Sequence, residues 1–277
     1  MSNSSITKGI IDFHTHIFPD RIAENTVSFL AQKANIHAYA EGTEKGLIFA
    51  MEQADVAVSV ALPAITKPSQ FESVNAFAEE INRRYEKQGR RIISFGGIHP
   101  ACDDIDGKME YLANHGFKGV KIHPDYQNEF IDSPNYVRIL ECARAYDLIV
   151  VTHAGYDNGF PTLPMKCPPD RLKRLLDRVP YEKFVLGHYG GHLVWEKVYE
   201  ILTDYNVYFD TAYTLSEISP ELFKRILDKI GAGKILFATD SPWRDVSEEV
   251  SILRSYGLDA DTENKILYRN AEMLLGL

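Results

Sequence analysis

Eight short apolar runs alternate with longer amphipathic segments along almost the whole 277-residue chain. The runs are rich in β-branched residues and nearly continuous in apolarity, as in the stretch VAVSVAL, and such runs are typical of parallel strands covered on both faces. They predict strands at residues 10–17, 56–63, 92–98, 119–123, 148–153, 184–188, 207–211 and 235–239. Eight strands that alternate with helices predict a (β/α)8 barrel, the TIM-barrel fold. A doubly wound open sheet is the alternative architecture.

Helix-capping residues mark the segments between the runs. Thr43 precedes one apolar-periodic segment, and Ser-Pro pairs at 133–134 and 219–220 place a capping hydroxyl before a first-turn proline. Residues 22–36 predict an extra helix after the first strand, and the Gly- and Pro-rich residues 154–170 predict a long functional loop. No composition break divides the chain, so residues 1–277 are predicted to form a single domain with a polar tail at 1–9.

The charge balance bears on partners and location. A formal net charge of −9 argues against non-specific binding to nucleic acid or to an anionic membrane. The three cysteines form no CxxC pair, residues 1–9 lack the pattern of a secretion signal, and no apolar run approaches the roughly 20 residues of a membrane span. We expect a cytoplasmic protein that acts on a small molecule, and a homo-oligomer is compatible with this composition.

Histidines are concentrated where the predicted strands end. Six of the nine in the chain end or follow such strands: His14, His16, His99, His123, His153 and His188. The carboxyl ends of barrel strands meet at one mouth, where chemistry is located in this fold. Because a proline follows two of these histidines, at 99–100 and 123–124, loop geometry is an alternative explanation for those two.

The pair His14 and His16 indicates a metal site. Residues two apart on a strand point to the same face, and two neutral imidazoles on one face can bind a divalent metal ion. The H-x-H pattern alone is common in turns and cores, and it gains weight here from His153 and from Asp240, which follows the eighth run. A buried carboxylate without a partner is costly, whereas a metal ligand is satisfied. Structural histidines, a helix-capping role for Asp240 and a backbone contact for His188 are the alternatives.

Several segments together resemble the amidohydrolase-related family, in its amidohydrolase 2 branch. They are IIDFHTHIFP, GFKGVKIHP, VVTHAG, VLGHYGG, ILFATDSPW and the closing ILYRNAEMLLGL, in the expected order and strand positions. The resemblance extends from residue 10 to residue 277 and implies a metal-dependent (β/α)8 enzyme. It implies that His14, His16, His153 and Asp240 carry the metal and its water.

The resemblance also bears on the number of metal ions. It implies that His188 acts as a base or substrate-orienting group when one metal is present. In two-metal relatives the corresponding histidine is a ligand. Lys121 would then be the carboxylated lysine that bridges the two metal ions. Two residues separate Lys121 from the break at Pro124, so one metal per chain is expected. Zn²⁺ suits three histidines and one aspartate best, with Mn²⁺ as the alternative.

The reaction expected from this ligand set is hydrolysis of an amide, lactone or ester-like bond by a metal-activated water. Asp240 is predicted to take the proton from that water, and His188 to polarise the substrate carbonyl. Lys121 and His123, on one face of the fourth strand, and Arg244 after the eighth are predicted to contact the substrate.

Three other functions compete with hydrolysis. The family contains metal-dependent decarboxylases of unsaturated or aromatic carboxylic acids, and the ligand set does not separate the two chemistries. The family's decarboxylases usually run longer after strand one, which favours a hydrolase. A TatD-type nuclease is disfavoured by the acidic chain, which has no basic cluster near the proposed mouth. A barrel that binds metal without turnover is the non-enzymatic alternative.

Overall fold

A ring of eight parallel strands forms the centre of the computed structural model, which describes residues 9–86 and 91–277. Within that part of the chain the strands are β1 Ile10–Thr15, β2 Val56–Ala61, β3 Ile92–Ser94 with Gly96–Gly97, β4 Gly119–Ile122, β5 Ile149–Thr152, β6 Phe184–Leu186, β7 Tyr208–Asp210 and β8 Ile235–Leu236. Each lies within a predicted run, and all of their residues except the partly buried Ala57 are buried, as parallel strands covered on both faces should be. The predicted tail at 1–9 lies outside the described residues except for Gly9.

Two irregular seams divide the ring into sheets of three and six hydrogen-bonded segments. At the first seam, between the two segments of β3, the backbone N–H of Phe95 still donates to Ala61 across 2.9 Å. At the second, β1 meets β8: Phe13 donates to Phe237 across 2.9 Å, and Asp240 donates to His14 across 2.8 Å. These bonds continue the strand order around the ring, so the predicted TIM barrel is confirmed and the open sheet is excluded.

Helices connect the strands. They are α1 Asp20–Ala34, α2 Glu44–Gln53, α3 Phe71–Glu86, α4 Ile105–Asn114, α5 Pro124–Gln127, α6 Pro134–Ala145, α7 Pro169–Arg178, α8 Trp195–Ile201, α9 Pro220–Ile230, α10 Val246–Ser255, α11 Ala260–Asn264 and α12 Asn270–Leu275. The predicted extra helix is α1. Thr43, Ser133 and Ser219 each accept a backbone N–H of the first turn, as predicted. None of the helices in the described residues has the length and apolarity needed to span a membrane.

Apolar side chains from seven of the eight strands form one buried cluster. Phe13 and Phe95 meet in it edge to face, with ring centroids 6.0 Å apart. Strands on opposite sides of a ring share only its interior, so this cluster fills the barrel. Ala271, Leu274 and Leu275 of α12 pack against it. Lys118, just before β4, donates to the Leu275 carbonyl across 2.8 Å, which puts α12 at the end of the barrel where the strands begin.

The side chain of Asp12 holds the seam between β1 and β8. It accepts the Thr239 hydroxyl across 2.6 Å, the Thr239 backbone N–H across 3.0 Å and the His14 backbone N–H across 3.3 Å. The side chain is fully buried, and burial raises the pKa of Asp12 to about 7. Because the strand after Leu236 is not part of a regular ladder, these side-chain bonds replace part of it.

Removing the Asp12 carboxyl should therefore destabilise the barrel. We expect Asp12→Ala to lower the free energy of unfolding by roughly 2–3 kcal/mol, because the buried Thr239 donors lose their acceptor. Denaturant unfolding of both proteins measures this difference. Asp20→Ala, at the exposed start of α1, is the control and should stay within about 0.5 kcal/mol of wild type. An Asp12→Ala midpoint equal to wild type would show that the seam does not need this clamp.

Candidate metal centre

A cavity of about 940 Å³ opens at the carboxyl ends of the strands. Its walls contain all of the side chains predicted to bind metal or act in catalysis, together with two of the three predicted substrate contacts: His14, His16, Lys121, His123, His153, His188 and Asp240. The long loop at 154–170 contributes Tyr156, Asp157 and Phe160 to the same walls. The barrel thus brings together these residues from five strand ends and one loop.

The two histidines of β1 direct the same ring nitrogen into the cavity. His14 Nδ1 donates to Asp210 Oδ2 across 2.8 Å, and His16 Nδ1 donates to the Leu62 carbonyl across 2.7 Å. A neutral imidazole carries one N–H, so each Nε2 keeps its lone pair, which in His14 faces the Lys121 Nζ across 2.9 Å. An orienting acceptor on the far nitrogen is the usual arrangement for a metal-binding histidine. Burial and the charge of Lys121 hold the pKa of His14 well below its usual range, which favours this neutral form.

Asp240 lies directly opposite these lone pairs. Its Oδ1 is 3.0 Å from His16 Nε2 and 3.5 Å from His14 Nε2. Although burial alone would raise the pKa of Asp240, the hydrogen bond with His16 and the nearby imidazoles hold it below its usual range. The Asp240 backbone has a positive φ of 69° and donates to the His14 carbonyl, which fixes the carboxylate at the mouth of the cavity.

The chemistry of these three groups fits a divalent cation. Two imidazole lone pairs and one carboxylate oxygen lie within 4.8 Å of one another. With His16 neutral, its Nε2 and the Asp240 oxygen are both acceptors, and acceptors 3.0 Å apart need a proton or a cation between them. Nitrogen and carboxylate donors at this spacing suit Zn²⁺ or Mn²⁺.

Lys121 is buried beneath the same group. Its Nζ is 2.9 Å from His14 Nε2, and burial lowers the pKa of the ammonium to about 8. The side chain therefore touches a predicted metal-binding residue directly, and it also lines the cavity.

His153 and His188 form a direct contact with each other. The His188 Nδ1 donates to the Ala212 carbonyl across 2.9 Å, and His153 Nδ1 lies 2.8 Å from His188 Nε2. Among the described residues, His153 groups with His123 and Asp157 as a second set of metal-binding side chains. The structure thus brings three of the four predicted ligands together and places His153 with other partners.

Arg244, the third predicted substrate contact, does not line the cavity. Its guanidinium forms an ion pair with Glu217 and lies 3.8 Å from the centroid of the Tyr213 ring. Tyr213 lines the cavity, so Arg244 lies behind the wall. Contact of Arg244 with substrate stays a prediction.

Three buried polar residues near the cavity were missed in the sequence. Asp210 ends β7, and the reasoning used for Asp240 at the end of β8 would have found it. Asp157 lies in the long loop, where burial raises the pKa of its carboxyl to about 6. Burial lowers the pKa of His192 to about 3. Loop positions carry no periodicity, so no sequence signal indicated Asp157 or His192.

The base of the long loop is fixed by its backbone. Gly155 donates to the Cys167 carbonyl across 2.9 Å, and its φ is +89°. A Cβ at this position would lie 2.1 Å from the backbone nitrogen of His192. Only glycine fits there, so the loop leaves the barrel along one path.

The chain matches a known sequence family. The family described as amidohydrolase matches residues 11–277. No curated protein sequence matches the chain.

Solved structures with the same fold include three decarboxylases. The 2,6-dihydroxybenzoate decarboxylase from Rhizobium is 16% identical, with a TM-score of 0.73 over 98% of this chain and 99% of that chain. A dihydroxybenzoic acid decarboxylase from a Polaromonas species, with bound manganese and 2-nitroresorcinol, is 17% identical, with a TM-score of 0.70 over 98% of each chain. The 5-carboxyvanillate decarboxylase from Novosphingobium aromaticivorans, complexed with manganese, is 14% identical, with a TM-score of 0.73 over 100% of this chain and 98% of that chain.

The contact of Asp210 with His14 gives a test of the metal centre. In Asp210→Asn, an amide N–H facing His14 Nδ1 would force the ring proton onto Nε2 and remove the lone pair aimed at the cation. We expect the affinity for Mn²⁺ to fall roughly 10–100-fold, measured by equilibrium dialysis with elemental analysis. Asp204→Asn, whose side chain is 80% exposed, is the control. Equal affinity in Asp210→Asn and wild type would contradict the ligand role of His14.

Proposed function

The chain belongs to the amidohydrolase family, and on that premise we propose that it is a metal-dependent carboxy-lyase that decarboxylates a small aromatic or unsaturated carboxylic acid. The observation that carries the proposal is the composition of the cavity around His14, His16 and Asp240. Its candidate metal-binding groups and Lys121 lie at the strand ends, while Phe29, Phe160 and others contribute apolar walls farther out. A flat acid with one charged group matches that division.

The similarity to decarboxylases supports this choice over hydrolysis. We expected a hydrolase partly because decarboxylases of the family usually run longer. The alignments span 98–99% of the decarboxylase chains, so chain length no longer argues against a lyase. Manganese is bound in two of these relatives, and a divalent ion is the proposed cofactor here, with Zn²⁺ still the ion predicted from the donors.

A divalent ion held by His14, His16 and Asp240 would supply positive charge to anchor the substrate carboxylate. His153 stays the predicted fourth ligand. The other steps of the proposed reaction are carried out by the side chains of the cavity. Lys121 adds a second positive charge below the carboxylate, and the apolar walls exclude water from the ring.

Asp240 is proposed to move the proton. Because its pKa is held below the usual range, the carboxylate must first take a proton, from solvent or from a substrate hydroxyl. It then delivers that proton to the carbon that bears the carboxylate. The bond from that carbon to the carboxylate breaks, its electron pair restores the unsaturated system, and CO2 leaves. His188 is held in place by Ala212 and by His153, and it orients the substrate.

Hydrolysis of an amide, lactone or ester stays the second candidate because of two contacts. Buried Lys121 lies beside His14, and the Nδ1 of His153 lies 2.8 Å from the Nε2 of His188. These are the residues that would become ligands in a two-metal site of the kind the sequence resemblance describes.

Product analysis separates the two candidates. Metal-loaded enzyme is incubated with hydroxylated benzoates and other unsaturated acids, and with lactones, amides and esters. The lyase releases CO2 and the decarboxylated ring, and Asp240→Asn should lower that rate roughly 10²–10⁴-fold. Asp103→Asn, at a 91% exposed side chain, should keep the wild-type rate. Hydrolytic products without CO2 would reject the lyase, and full activity in Asp240→Asn would reject the role of that residue.

A further inference from the structure

His192 is a cavity residue whose backbone is fixed to the start of the long loop. It lies between β6 and α8, and its side chain lines the cavity. Its backbone N–H donates to the Ala154 carbonyl across 2.9 Å, and its carbonyl accepts the Tyr156 N–H across 3.0 Å. Because these two bonds flank Gly155, the main chain of His192 has little freedom to move relative to β5.

The chain around His192 is held in an unfavourable conformation. His188, Tyr189 and Leu193 have φ values of 56°, 56° and 59°, in the left-handed region that residues with a Cβ seldom adopt. Such a conformation costs free energy and persists only where the surrounding fold imposes it, often at binding sites. One contact that imposes it is the bond from Trp195 Nε1 to the His188 carbonyl, at 3.0 Å.

The imidazole of His192 has no hydrogen-bond partner in the part of the chain that the structure describes. The residue is 5% exposed, and its Nδ1 is buried without a partner. Its Nε2 makes no hydrogen bond within residues 9–86 and 91–277 either, but this nitrogen is not shut off from the cavity. A polar group left in this state costs free energy unless a ligand or a water molecule satisfies it.

Aromatic neighbours fix the orientation of the His192 ring. The rings of Trp195 and Tyr213 lie edge to face with it, with centroids 5.8 and 5.5 Å away and planes at 80° and 83°. The ring of His188 is 6.2 Å away, centroid to centroid. Burial lowers the pKa of His192 to about 3, so the fixed ring is neutral near pH 7.

The neutral ring limits the kind of group that suits His192. A neutral imidazole offers one N–H and one lone pair, and without a charge it does not attract a second carboxylate. A hydroxyl group both donates and accepts, so it pairs with Nε2 in either tautomer of the ring. His192 is also the next ring along the wall from His188, the residue proposed to orient the substrate.

We propose that His192 is a specificity-determining residue that binds an uncharged hydroxyl substituent of the substrate through its Nε2. The inference rests on the proposed function, because it takes as substrate an acid whose carboxylate is held at the metal centre. His192 would then select among such acids by a second group, separate from the carboxylate. An acid without that hydroxyl leaves the imidazole unpaired and binds less tightly. The substrate class is thereby narrowed to hydroxylated acids.

The test compares matched acids on the full chain loaded with Mn²⁺. Benzoate and its 2-, 3- and 4-hydroxy isomers are titrated into each protein by isothermal titration calorimetry. In wild type at least one hydroxylated isomer should bind roughly 5–50-fold more tightly than benzoate. His192→Phe keeps a ring but removes both nitrogens. It should reduce that preference to within about twofold and leave the affinity for benzoate itself within about threefold of wild type.

Three further variants separate the loss of a hydrogen bond from a change in packing. His192→Gln places an amide near the position of Nε2 and should restore part of the preference. His192→Ala adds no volume, should lose the preference, and decides if His192→Phe does not fold. His115→Phe is the control, because His115 is exposed and follows α4 at the opposite end of the barrel. Circular dichroism of each variant confirms folding.

The outcomes separate this inference from the proposed function. Wild type that binds no hydroxylated isomer more tightly than benzoate would overturn the role of His192, as would a preference that survives in folded His192→Phe or His192→Ala. CO2 release from the same acids tests the lyase independently. A preference that depends on His192 without CO2 release would reject the lyase and still support the hydroxyl-binding role. CO2 release with a preference that does not depend on His192 would reject that role alone.

Discussion

The hydrogen bonds that join β1 to β8 are the constraint on which the rest of the structure depends. They close the ring, and the same few residues carry the candidate metal centre. Asp12 holds Thr239, one residue before Asp240, and the Asp240 backbone in turn donates to the His14 carbonyl. Side chains 224 positions apart in sequence are therefore brought to 3.0 Å by the seam itself. The contacts that close the barrel therefore also position the side chains of the site.

The sequence predicted the elements and part of the site because these depend on local patterns. The apolar runs predicted all eight strands, and capping residues such as Ser133 predicted where helices start. The two-residue period of a strand correctly put His14 and His16 on one side. Asp240 was found because a carboxylate at the end of a buried run needs a partner.

The remainder of the site depends on contacts that one sequence does not encode locally. Whether His153 faces β6 or β1 is decided by its hydrogen bond with His188, and Asp157 reaches the cavity only through the path of a long loop. Arg244 is held outside the cavity by its ion pair with Glu217, which lies in the segment between β7 and α9. Each of these outcomes was set by a neighbour distant in sequence, which periodicity and capping rules do not register.

The glycine at the base of the long loop also has a consequence for protein engineering. Because position 155 accepts no side chain, variation that reshapes the mouth of the barrel has to be confined to the tip of the loop. A library that diversifies 158–166 and keeps Gly155 would retain the anchor while changing the lining around Phe160. Changes at the tip of the loop can then alter the substrate range, while the anchor at Gly155 and the barrel stay the same.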